Sequence, residues 1–276
     1  MRWLLILACV GVMGLLVVLP VVAVFVEAFR KGLTGFWENI TERDTLHSIG
    51  LTLFVAPVAV VCNVVFGLAA AWAISRFQFR GRTLLTTMID LPFAVSPVVV
   101  GLSFMLLFGQ QGFAGPWLKA HGIEIVFNVT GIILATMFVT LPFVARELIP
   151  VMEAIGSDEE VAAVSLGANG WQIFWRITLP NIKWGLLYGV ILCNARAMGE
   201  YGAVAVVSGR IEGKTQTMPL RIEYLDQNFN TVGAFAIASL LTLLAIGTLV
   251  LKVWVERLTR QEIQEAVRAA DTGGAH

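Results

Sequence analysis

The chain reads as an all-α integral membrane protein with six transmembrane helices. Two observations carry this reading. Of its 276 residues, 57% are hydrophobic and only 14% charged, against roughly 45–50% and about 25% in soluble domains; mean hydropathy is +0.80. The ionisable residues also fall between long uncharged stretches, each close to the ~20 apolar residues that a bilayer core of about 30 Å asks of a helix.

In chain order the predicted spans are Trp3 to Val26, Ser48 to Ser75, Thr83 to Gly109, Ile125 to Ala145, Trp184 to Ser208 and Thr231 to Leu251. The first opens on Arg2 and outruns the roughly 7–15 apolar residues of a secretory signal. It has no small-x-small cleavage site near its end, so it is read as a retained helix. The third carries Asp90 near its start, within reach of the interface beside Arg82, and the fifth carries Arg196 and Glu200. Pro20, Pro57, Pro92, Pro97 and Pro142 fall inside spans. In lipid, neighbouring helices can satisfy the backbone groups a proline frees. Gly67, Ala69, Ala70 and Ala71 allow close helix approach. The halves show no internal repeat, which argues against an inverted-repeat carrier. The chain is thus divided into a first helix and outer loop (1–46), a five-helix core (47–255) and a C-terminal tail (256–276).

Lys and Arg set the orientation. With the N-terminus inside, the cytoplasmic segments hold eleven of them and the outer segments seven. Both termini are therefore expected in the cytoplasm.

Composition also excludes. Nineteen basic and nineteen acidic side chains balance, which leaves no field to grip nucleic acid. Cys9, Cys62 and Cys193 lie far apart in apolar runs and read as packing residues rather than disulfides. His47, His121 and His276 are too scattered for a metal site. Neither a Ser/His/Asp set nor a buried carboxylate pair is visible, so no catalytic site is expected. The phosphate-cradling GxxxxGK(S/T) pattern is missing as well.

Between the fourth and fifth spans lies a segment too apolar for a solvated linker and too short for a domain. Ser157-Asp158-Glu159-Glu160 reads as a capping box, and its acidic first turn suits the helix dipole. A short helix then offers Val161, Ala162, Val164 and Leu166 until Gly167 stops it. A second short helix carries Trp171, Phe174, Trp175 and Ile177 and is expected to end near Leu179-Pro180. Such apolar surface marks either a docking face or an anchor at the membrane interface; composition leaves both open.

Within this segment Ala162-Ala163, Gly167, Ile177, Leu179 and Pro180 are similar to the E-A-A-x3-G-x9-I-x-L-P loop by which ABC importer permeases dock on their ATPase. Val161 stands at the family's glutamate position, and the nearest acid is Glu160, one residue earlier. Asp90 to Phe93, Ser96 to Val98, Phe138 to Leu148 and Asn194 to Ala203 resemble the sulfate and molybdate importer permeases. Asn181 to Gly189 and Ser208-Gly209 resemble the W-type membrane subunits of sulfate/thiosulfate importers. The resemblance implies a type I ABC importer permease fold in the bacterial inner membrane, forming half of a heterodimeric pore with a T-type permease. It also implies an ABC ATPase dimer that uses ATP and Mg, a periplasmic sulfate/thiosulfate-binding protein, and no cofactor bound by this chain. The docking residues it implies are Glu160, Ala162, Ala163, Leu166, Gly167, Ile177, Leu179 and Pro180. A molybdate/tungstate permease is the nearest alternative, and an ATP-independent anion channel or carrier the alternative of another class.

An oxyanion crossing the bilayer needs donors and compensating charge. Ser96 and Ser103, seven apart, would share one face of the third helix. Arg196 and Glu200, four apart, would share a face of the fifth. These four are candidates for an anion path, and Arg196 with Glu200 equally for an ion pair that locks helix packing. Arg210, Lys214 and Arg221 fall in an expected outer loop over 210–229, where they would draw an anion or merely be solvated.

Overall fold

The computed structural model describes residues 2–273, with side chains described through 257. His276 and the side chains of the expected tail beyond Arg257 lie outside the described residues. All regular structure among the described residues is helical. Four helices are long and apolar enough to cross a membrane: α1 (Arg2–Ala28), α3 (Arg43–Arg76), α7 (Val129–Ile155) and the Thr231–Arg257 part of the last helix. A short helix, α2 (Gly32–Thr41), separates the first two.

The expected third span is no single helix. It is α4 (Arg82–Ala94) followed by α5 (Pro97–Phe108), bent by 108°. Pro97 has no N–H to continue the ladder, and a proline pushes the residue before it out of the α region. Val95 and Ser96 accordingly take extended ψ values of 135° and 134°. The expected fifth span is also broken: α10 (Leu179–Met198) stops at Gly199, and α11 (Gly202–Val207) resumes after Tyr201. With the bent pair as one span, five rather than six pass on length and composition. Between them α6 (Gly115–Ala120) leads into α7. The segment after α7 holds α8 (Asp158–Ser165), α9 (Gly170–Ile173) and a π-helical turn, Phe174–Thr178. After α11 come α12 (Met218–Gln227) and α13 (Thr231–Gly273).

The core centres on α3 and α7. Asn63 Nδ2 donates to Thr140 Oγ1 at 2.8 Å; a Cβ added to Gly67 would sit 2.9 Å from the Val144 Cβ; Ser75 Oγ meets the Met152 sulfur at 3.4 Å. Each pair is 77 residues apart. A constant offset means parallel helices in fixed register, as alternate crossings of a bilayer require. Cys193 of α10 joins this seam, its Sγ 3.7 Å from Asn63 Nδ2, with Val60, Ala71, Val144, Leu148 and Ile182 packed around it. Cys193 is thus the packing residue expected, whereas Cys9 and Cys62 are exposed on the outer surface. On α1, Ala28 is the one buried residue described, so that helix presents its length to lipid or to another chain.

The two helix breaks meet. Gly101 of α5 lies so close to α11 that an added Cβ would be 2.8 Å from both the Ala203 carbonyl oxygen and the Val206 Cβ, and a Cβ on Gly202 would sit 2.9 Å from that of Pro97. Val100, Ala135, Val139, Ala203 and Val207 fill the space between α5, α7 and α11. Overpacking of this kind costs about 1–3 kcal/mol. Gly101→Ala should therefore lower the thermal unfolding midpoint of the detergent-solubilised protein. Gly11→Ala in α1, where nothing lies within 4 Å of the new Cβ, should leave it unchanged.

Candidate functional site

The segment between α7 and α10 is built from its caps inward. Helix α8 ends in a Schellman arrangement: Ala168 N–H donates to the Ala163 carbonyl at 3.0 Å and Gly167 N–H to that of Val164 at 2.9 Å. The turn holds Gly167 at φ +85°, a left-handed conformation that glycine reaches without strain. The predicted stop at Gly167 is therefore where the helix ends. The capping box is not where it was expected. Ser157 makes no side-chain cap to α8, and the Glu160 carboxylate, instead of reaching back to it, pairs with Arg76, 3.0 Å from Nε. The capping box instead opens α9, where Asn169 Oδ1 accepts from Gln172 N–H at 2.9 Å and Gln172 Oε1 accepts from Asn169 N–H at 3.0 Å.

The second short helix also differs from expectation. It does not end near Leu179-Pro180; α9 passes through the π-helical turn directly into α10, with Pro180 in the first turn. Pro180 lacks an N–H there but sits where intrahelical donors are unpaired anyway. The outcome is a sharp apolar ridge. Leu166 is 90% exposed, Val161, Val164, Trp171 and Trp175 are exposed too, and Trp171 meets Trp175 edge-on at 5.6 Å. Ala162 is exposed on α8, Ala163 and Ile177 are half-buried and Leu179 packs onto the core.

The intramembrane candidates come out less regular than spacing predicted. Ser96 lies at the bend, outside α5, so it shares no continuous helix face with Ser103. Both are exposed, and Ser103 Oγ donates to the Val99 carbonyl at 2.9 Å. Glu200 lies in the break after α10 rather than on one helix face with Arg196. The pair still forms, with Arg196 Nη1 2.6 Å from Glu200 Oε2. The remaining Glu200 oxygen accepts from Ala203 N–H at 3.0 Å, which anchors the first turn of α11. The carboxylate side chain is 1% exposed and the guanidinium one 35%. Asp90, read as an interfacial charge, pairs with Arg146 at 2.7 Å, whose guanidinium also stacks on Phe93.

The expected outer loop over 210–229 folds into α12, packed on α13 through Met218, Leu225, Ala234 and Ile237. Arg221, read as a solvated or anion-drawing cation, is buried. Its Nη2 lies 3.0 Å from Glu42, Nη1 3.8 Å from Glu212, and the guanidinium covers the Tyr224 ring. The acids claim it because an unpaired buried charge is costly. The Tyr224 phenol, hydrogen-bonded to Glu212, is held above its ordinary pKa mainly by that bond. Arg210 pairs with Glu223 at 3.1 Å, and Lys214 remains exposed. His47 and residues drawn from 105–129 and 211–215 line an open cavity of about 1200 Å³ at this end.

A membrane protein with two of its expected spans broken and one exposed apolar segment looped out between core helices is, by its family, a transport permease. Residues 63–261 match the family model of the binding-protein-dependent transport system inner membrane component, and the chain belongs to that family. It is 53% identical over 262 residues to the sulfate transport system permease protein CysW of Escherichia coli (strain K12), across 95% of this chain and 90% of that one. It is 39% identical over 241 residues to the sulfate transport system permease protein CysT of the same strain, across 85% and 87%. In fold it is similar to a bacterial ABC transporter involved in the import of the acidic polysaccharide alginate, with a TM-score of 0.75 at 16% identity over 94% of this chain and 95% of that one. The type I importer permease fold is thus the fold of this chain.

The unequal burial of Arg196 and Glu200 sets a sign. Arg196→Met strands a buried carboxylate, and breaking a fully buried pair costs about 3–5 kcal/mol. Glu200→Gln leaves a guanidinium that solvent already reaches. In thermal unfolding Arg196→Met should be the more damaging, and the double variant Arg196→Met/Glu200→Gln should lose less than the two single losses added together.

Proposed function

We propose that this chain is one membrane-spanning half of an ATP-driven importer of sulfate or thiosulfate, moved by a separate ATPase that docks on residues 157–180. One observation carries the docking reading: the ridge of Leu166, Trp171 and Trp175 projects from a membrane protein between two of its core helices, on a turn built around Gly167. A plain interfacial anchor would need no such turn. The substrate class rests on the likeness to sulfate transport permeases. The second half of the pore is a T-type permease. An ABC ATPase dimer supplies ATP and Mg chemistry with no cofactor on this chain, and a periplasmic sulfate/thiosulfate-binding protein delivers the anion. Ser96, Ser103 and Arg196 form this chain's share of the anion path, with Glu200 holding Arg196 in place. Both termini lie in the cytoplasm, on the docking side.

Radiolabelled sulfate uptake in a permease-deletion strain complemented with this chain tests the substrate. Uptake displaced by thiosulfate supports the reading, displacement by molybdate alone points to the molybdate class, and insensitivity to vanadate to an ATP-independent carrier.

Leu166→Asp should leave the fold intact, since the side chain touches little within the chain. It should weaken co-purification with the ATPase at least tenfold, about 1.4 kcal/mol. Normal co-purification would refute the docking reading. For topology, a cysteine at Thr215 would be uninformative because Thr215 is buried. Lys214→Cys, on an exposed site, should react with an impermeant thiol reagent added outside spheroplasts. Protection there would reverse the orientation.

A further inference from the structure

Helix α8 buries no residue, and none of its side chains belongs to an apolar core cluster among the described residues. It is flanked by Gly156 at φ +72° and Gly167 at φ +85°, two backbone positions where the chain turns freely. Nothing apolar therefore sets the angle at which α8 stands against the spans. What holds it is Glu160. Its Oε2 lies 3.0 Å from Arg76 Nε, and its Oε1 accepts from Arg76 Nη2 at 3.1 Å and from Thr178 Oγ1 at 2.9 Å. Arg76 Nη1 in turn donates to the Met152 carbonyl at 2.9 Å. A single carboxylate so joins α8 to the last residue of α3, through Arg76 to the end of α7, and through Thr178 to the π-helical turn that opens α10. Glu159 adds one outer strand to the same connection, accepting from Asn181 Nδ2 at 2.6 Å.

The site is enclosed. The Arg76 and Glu160 side chains are 10% and 16% exposed, and Thr178 is buried. The Arg76 guanidinium donates from Nη2 to the carboxylate, meets it ionically at Nε and donates from Nη1 to the Met152 carbonyl, a planar set of contacts that a lysine at the same place would not reproduce. The neighbouring residues divide the labour. Val161, Val164 and Leu166 point to solvent, whereas Glu160 points into the bundle. An acid at 160 with an apolar residue at 161 is the arrangement that lets one helix offer an apolar outer face and a charged inner one.

We propose that Arg76, Glu160 and Thr178 form a latch that fixes the docking helix to the cytoplasmic ends of α3, α7 and α10, and so transmits movement of the docked ATPase to the spans. They are positioning residues, touching neither the anion nor the nucleotide. The proposal rests on the docking reading above. A ligand or partner shifts a conformational equilibrium only through contacts that differ between its states. Without the latch, α8 can follow the ATPase by swinging on its two glycines while the spans stay still.

The test uses the whole complex, permease pair, ATPase and binding protein, in proteoliposomes, reading sulfate imported per ATP hydrolysed. Arg76→Gln, a change at the end of α3 and outside residues 157–180, should keep the ATPase bound and hydrolysing while import per ATP falls at least tenfold, within the range usual for coupling between sites. Arg76→Lys, with the charge but not the fork, should recover only part of the ratio. A native ratio in Arg76→Gln overturns the latch. Failure of the docking reading looks different: Leu166→Asp would then retain the ATPase, whatever the latch variants do. Should Arg76→Gln fail to assemble, hydrogen exchange on the detergent-purified permease decides. Amides of 158–166 should exchange faster than in the native chain, and unchanged rates would overturn the proposal.

Discussion

Everything else in this chain leans on the parallel seam between α3 and α7. With little hydrophobic drive between helices in lipid, association depends on close packing and on hydrogen bonds that have no water to compete with them. The seam uses both. Gly67 brings the α3 backbone against Val144 and Ala145, and the buried Asn63 amide spans to Thr140 and to the Met137 carbonyl at 3.1 Å. Because the register is fixed by these contacts, the ends of the two helices are fixed as well. That is why Arg76 and Met152 stand side by side where the segment after α7 leaves the bundle.

Around this seam the remaining elements fall into two kinds. Helices α10 and α13 extend the packed bundle, while α4/α5 and α10/α11 are broken in the middle and meet at their breaks. Irregular backbone is tolerated at membrane depth only where it is packed in protein or lines a wet passage. The exposed hydroxyls of Ser96 and Ser103 and the partly exposed Arg196 lie in these broken elements. A surface that is irregular, polar and open in one chain is what half of a two-chain pore would present. The other end is plated by α12, which Arg221 ties to Glu42 at the joint of α2 and α3, so both ends of the bundle are firmly built.

Much of the 157–180 segment was legible from residue spacing. The Gly167 stop and the aromatic run fall where the sequence placed them, because turn chemistry is local; the end expected near Leu179-Pro180 does not, since the chain continues there into α10. The pairing of Arg76 with Glu160 was not legible. Nothing in spacing connects Arg76 with Glu160 across 84 residues, and the local rule that favours a capping box at Ser157 gave way to a stronger long-range ion pair. The same happened to Arg221. A cation among polar neighbours reads as solvated until the fold wraps two carboxylates and a tyrosine ring around it.

By itself the sequence determined that the chain lives in lipid, where its long helices run and where its amphipathic segment leaves the membrane. These follow from hydropathy and from residues whose preference is set by the nearest few neighbours. Tertiary structure alone decided how the helices break and what the charges do. Pro97 permits a bend, but the 108° angle is held by α11 packed against Gly101. Glu200 sits four residues from Arg196 under any reading, yet its burial and its hold on the α11 amide come from neighbours distant in sequence. A charge in lipid is stable only with its partner, and which partner it meets is a property of the fold.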